Sequence, residues 1–113
     1  MTLRQLLAHP LVRGLCIGSC VDGSPFTRNT VAHAHYERPD TKTTHERYPG
    51  FICVQSLDLL SRRDTGDVTR IGLEELAHLI AKGHHGKRWL TTMREMGQPI
   101  PAAHRRKSKR RAN

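Results

Sequence analysis

The chain has 113 residues, with 19 Lys and Arg against 10 Asp and Glu, a formal charge of +9 before any of its eight histidines is counted. That length fits one domain, and 36% hydrophobic with 4% aromatic residues supplies one modest core. No apolar stretch approaches the ~20 residues that cross a bilayer, and residues 1–15, broken by His9-Pro10 and carrying Arg4 and Arg13, lack the apolar run of a secretory signal, so a cytoplasmic protein without membrane partners is expected.

In chain order, Leu3, Leu6, Leu7 and Leu11 fall at helical spacings and predict a short helix up to Pro10. Residues 30–36 (TVAHAHY) alternate, with Val31 set apart from His33 and His35, and residues 50–56 (GFICVQS) form a β-branched and aromatic run opened by Pro49-Gly50. Both read as strands, joined by a polar loop over 37–48. Such a pair can run antiparallel, in a register the sequence leaves open. Residues 57–67, with Asp64-Thr65-Gly66-Asp67, are a turn-rich approach to the next element.

From Thr69 the period becomes helical. Asp67 or Thr69 can cap the helix and Gly83 can stop it, which predicts a helix over 69–82. On a wheel at ~100° per residue, with Glu74 at zero, His78 falls near about 40° and Glu75 near about 100°. Leu76, Ile80, Leu73 and Ala77 lie between about 200° and 300° on the same wheel, so a core face opposes a face carrying Glu74, Glu75 and His78. After His84-His85-Gly86 a second helix over 87–97 carries Trp89, Met93 and Met96, and Gly97 ends it.

The excess charge is concentrated. Residues 104–113 (HRRKSKRRAN) contain Arg105, Arg106, Lys107, Lys109, Arg110 and Arg111 with no acid, so the first 103 residues carry only +3. Pro99 and Pro101 mark the boundary between a domain over 1–98 and a basic tail over 99–113, expected to stay disordered until it meets an anion. A block of this density suits nucleic-acid phosphates, each neutralised phosphate releasing counterions. The alternative is a tail that only confers solubility.

Three cysteines, an odd number without an export signal, point to free thiols or metal ligands rather than a disulfide framework. Cys16-x3-Cys20 followed by His33 begins like a two-Cys, two-His finger, but His35 comes too soon for that finger's helical ligand pair and His45 too late. A nonstandard site of Cys16, Cys20, His33 and His35 remains open, against the reading of Cys16 and Cys20 as small hydrophobes beside a turn. On a strand, His33 and His35 share a face and could equally line a cleft over the helix at 69–82. Cys53, in an apolar run, reads as core.

The helix at 69–82 carries a further pattern. Zinc hydrolases place two ligands at i and i+4 on one helical face, with a Glu directly after the first as general base. Here the five residues are Glu74-Glu75-Leu76-Ala77-His78, which differ from HExxH only at the first position. Downstream stands His85-Gly86-Lys87-Arg88-Trp89.

Over residues 73–97, and more loosely from the strand at 50–56, the chain resembles the zincin-like metallopeptidases, most closely the SprT-like group, in which HExxH is followed by a short loop and an HGxxW segment. The resemblance implies a small zincin-like α+β domain that cleaves proteins associated with nucleic acid. It also implies Glu75 as general base, zinc held by His78 and His85 with Glu74 in the first ligand position, and Trp89 packing the next helix on the metal helix. Glutamate at 74 leaves three readings open: a substituted ligand with weaker metal binding, a site that has lost its metal, or an ordinary amphipathic helix. The second functional reading is a nonenzymatic nucleic-acid-binding protein whose activity resides in the tail.

Overall fold

The structure, a computed structural model, describes residues 1–36, 47–83 and 85–98. The basic tail, with its six candidate phosphate contacts, and most of the 37–48 loop lie outside the described residues. In chain order the elements are helix α1 (Leu3–Leu7), strands β1 (Gly14–Ile17), β2 (Ala32–Ala34) and β3 (Phe51–Val54), a 3-10 turn (Leu57–Leu59), and helices α2 (Arg70–Ala81) and α3 (Lys87–Glu95). Helices on a mixed three-stranded sheet make this an α+β domain.

α1 starts with a reciprocal cap: the Gln5 amide donates to the Thr2 hydroxyl oxygen, and the Thr2 amide donates to the Gln5 side chain. It stops at Leu7, short of Pro10. Leu6 is fully buried while Leu7 and Leu11 are exposed, so only the first part of the leucine pattern is anchored in the core.

β3 is the central strand, in the order β1-β3-β2. β2 pairs with it antiparallel, as the two strand signals predict, in the register Ala32↔Val54, His33↔Cys53, Ala34↔Ile52. β1 is an element the sequence reading missed. It pairs parallel with β3 from Gly14↔Phe51 to Ile17↔Val54, a non-local pairing that a four-residue run cannot announce through its own alternation. Gly14 permits it, since a Cβ there would sit 2.4 Å from the Phe51 ring.

Strand alternation then sorts the side chains. Leu15, Ala32, Ala34, Ile52 and Val54 join Leu6, Leu60, Val68, Leu76 and Leu79 in the main core, which places α2 on that face. Cys16, Cys53 and His33, register partners across the three strands, form a row on the opposite face.

Thr69 caps α2, its oxygen accepting from the Gly72 amide while its hydroxyl donates to the Leu59 carbonyl. At the other end Lys82, not Gly83, adopts the left-handed conformation, with φ of 51°. Its amide returns to the His78 carbonyl, and the Gly83 carbonyl is thereby directed at the His78 ring. α3 packs on α2 through Trp89, Leu90 and Met93 against Ala77 and Ala81.

The polar face of α2 is a correction to the helical wheel. Glu75 and His78 are only 7% and 8% exposed, whereas Ile80, assigned to the core face, is 38% exposed. The sheet covers α2 along Leu76 and Leu79, and α3 covers it along Ala77 and Ala81. The strip left open runs past Ile80. Among the described residues no helix is long and apolar enough to cross a membrane.

Candidate functional site

A cleft of about 440 Å³ lies between β2 and α2. One wall is the 29–34 segment with Tyr36; the other carries Ile71, Glu74, Glu75 and His78, and His85 lines the cleft as well. All four residues singled out by the HExxH-like pattern therefore face a single cavity.

His78 is the best-fixed of them. Its Nδ1–H donates to the Gly83 carbonyl at 2.7 Å, which leaves a lone pair on Nε2, and Nε2 lies 3.2 Å from Nε2 of His85. The imidazole stacks with Tyr36 and with Trp89, with centroids 6.2 Å and 5.7 Å away. Trp89 is fully buried, and its indole N–H donates to the Glu74 backbone carbonyl at 3.2 Å. The tryptophan thus bolts α3 to α2 at the turn that carries Glu74.

The two glutamates diverge. Glu74 is held by Arg70, with Nε 3.0 Å from Oε1, one helical turn back. Glu75 points inward, and its Oε2 is buried without a hydrogen-bond partner among the described residues. Burial, reinforced by the neighbouring Glu74 charge, pushes the Glu75 carboxyl up to about 8. A carboxyl held near neutrality is suited to proton transfer at physiological pH.

A second cluster lies on the other face of the sheet. Sγ of Cys20 is 3.1 Å from Nε2 of His33 and 3.3 Å from Nε2 of His35. Together with Cys53 these side chains place four potential ligand atoms within 4.8 Å of one another, and among the described residues they are the group of three or more that so converges. This cluster could hold a metal ion. Glu74, His78 and His85 do not converge to that degree, because the Glu74 carboxylate is turned to Arg70.

Cys53 is fully buried in the core, as read from its apolar run, and also supplies a sulfur, so the candidate set of Cys16, Cys20, His33 and His35 is corrected to one in which Cys53 replaces Cys16, its neighbour in register. The rings of His33 and His35 meet Cys20, while Ala32, Ala34 and Tyr36 pack toward the main core; His33 also lines the cleft, as its strand position allowed, and His35 does not. The missed signal was positional. An antiparallel register of His33 opposite Cys53 brings both to one face, and that register is fixed by packing that a single sequence does not show. Burial raises the Cys20 thiol above its ordinary range and pushes the Cys53 thiol up to about 12. Comparison of the chain with known protein families, with curated proteins and with solved structures found no match.

Proposed function

We propose that the cleft between β2 and α2 is a hydrolytic centre of the SprT-like, zincin type, directed at peptide bonds of proteins held near nucleic acid. The observation that carries this reading is the pair of imidazole nitrogens, Nε2 of His78 and Nε2 of His85, 3.2 Å apart on residues lining a cleft that is also lined by the buried Glu75. Two imidazoles on one tetrahedral zinc stand about 3.3 Å apart. The Gly83 carbonyl on Nδ1 of His78 is the kind of outer support that fixes a ligating imidazole.

These residues fit a divalent cation. His78 and His85 would hold it, with Glu74 available as a third ligand once it leaves Arg70. Zinc, when bound, supplies Lewis-acid polarisation of a scissile carbonyl. In its ionised form, which a bound cation would favour, Glu75 takes the proton of the attacking water and returns it to the leaving amine, and its raised proton affinity makes it the stronger base. Tyr36 and Trp89 keep the His78 ring in place while this occurs. The tail would hold the enzyme on nucleic acid, in keeping with six cations in residues 104–113. The same charge supports the second reading, in which binding is the whole function.

Untagged full-length protein supplied with zinc is expected to cleave a loosely folded protein slowly and in a chelator-sensitive way. Glu75→Gln should slow that cleavage by at least ~100-fold, and Glu74→His should speed it by restoring an imidazole at the first ligand position. Absence of chelator-sensitive cleavage in both the natural chain and the Glu74→His variant would overturn the enzymatic reading and leave the binding one.

A further inference from the structure

The face of the sheet turned away from α2 is covered by the segment that follows β1, and the contact between them is made by sulfur and imidazole. Cys20 comes from that segment, His33 and His35 from β2 and its continuation, and Cys53 from the centre of β3. An i, i+2 pair on an extended chain presents both imidazoles to one side, which a helical i, i+4 pair achieves in zinc fingers.

We propose that Cys20, His33, His35 and Cys53 bind one zinc ion as a structural site, which fastens the segment after β1 to the back of the sheet and thereby sets the position of β2. This proposal is independent of the hydrolytic reading. Zinc at about 2.3 Å from sulfur and about 2.0 Å from nitrogen separates its tetrahedral ligands by about 3.3 to 3.8 Å. The S···N separations of 3.1 and 3.3 Å, and the limit of 4.8 Å over all four atoms, need only small adjustments to reach that geometry. Among the described residues the converging donors are two thiols and two imidazoles, the composition of a structural zinc site rather than a calcium or magnesium one.

The backbone around the sulfurs is a second, independent observation. The Val21 amide donates to Sγ of Cys53 at 3.4 Å. That donor lies in a tight turn in which the Gly23 amide returns to the Cys20 carbonyl at 2.9 Å, with Gly23 at φ +91° where a side chain would be strained. The amide on Cys53 suits a sulfur that becomes thiolate when it binds a metal, and binding releases one proton from each thiol. The opposite face of the same segment, through Ala32, Ala34 and Tyr36, walls the cleft beside His78. Occupancy of the rear site therefore fixes the wall of the front one.

The test is a titration of reduced, metal-free, full-length protein with cobalt(II). One equivalent should produce a near-ultraviolet thiolate-to-cobalt charge-transfer band and the visible bands of a tetrahedral centre, displaced by one equivalent of zinc. The cleft contains no sulfur, so its occupancy contributes nothing to the charge-transfer band. Cys20→Ser and Cys53→Ala should each lose most of that band, Cys16→Ser should keep it, and His78→Ala should leave it unchanged. Chelation of the zinc-loaded natural chain should lower its unfolding temperature by about 10 °C or more. No charge-transfer band in the natural chain overturns the proposal without reference to any variant. So does loss of the band in Cys16→Ser equal to that in Cys20→Ser.

Discussion

At Glu75 the burial of a carboxyl and the needs of the proposed chemistry coincide. With 7% exposure, an unpartnered Oε2 and the Glu74 charge next to it, the neutral acid is the form that the fold accommodates. Its folded value of about 8 lies above the ordinary 4.5. The folded chain therefore retains a proton between those values that the unfolded chain has released, so the stabilising contribution is complete below pH 4.5 and is lost as pH rises through 8. In chelator, the natural protein should lose stability from pH 5 to pH 8 more steeply than Glu75→Gln, whose uncharged amide has the same shape. The gap at pH 8 should be on the order of a few kcal/mol. Denaturant unfolding of both chains at several pH values measures it, and histidine titration, shared by both, cancels from the difference. Parallel pH profiles would show that Glu75 is not buried as a neutral acid.

At the level of elements, Gly72 shows packing overriding propensity. Alanine in the interior of a helix is favoured over glycine by ~1 kcal/mol, yet a Cβ at 72 would stand 2.4 Å from Cγ1 of Val68 and 3.0 Å from the Leu60 carbonyl. Overpacking of this kind costs ~1–3 kcal/mol, so Gly72→Ala should be net destabilising by up to ~2 kcal/mol, read as a lower denaturant midpoint with an unchanged slope. A raised midpoint would mean that the start of α2 can move off Leu60. The same contrast explains which elements can be read from sequence. α2 and α3 carry a 3.6-residue period, α2 with a recognisable cap, β2 carries alternation and β3 a β-branched and aromatic run, all properties of the local chain. β1 has four residues and gains its identity only from pairing with β3, thirty-odd positions later in the chain. The burial of Glu75 and His78 was likewise invisible on a wheel, because it depends on α3 and the sheet closing on α2 from two sides.

For the whole molecule, charge and chemistry separate. The HExxH-like residues were legible because four of them lie within one helix and the next turn, whereas the Cys20, His33, His35 and Cys53 cluster draws on three separate segments and was legible only in part. Residues 1–103 carry only +3, which gives the folded part no strong general attraction for polyanions, while the last ten residues carry six cations. If those cations neutralise about five phosphates of duplex DNA, log K should fall against log salt with a slope near about −4.5. Replacing Arg105, Arg106, Lys107, Lys109, Arg110 and Arg111 by Ser in the full-length chain should flatten that slope to about −1 or less. The same replacement should leave the cobalt charge-transfer band unchanged, since no cysteine or histidine is touched. Fluorescence anisotropy over a salt series measures both slopes. A steep slope that survived the six substitutions would move the polyanion-binding surface from the tail to the folded domain, and with it the role of the cations that remain there.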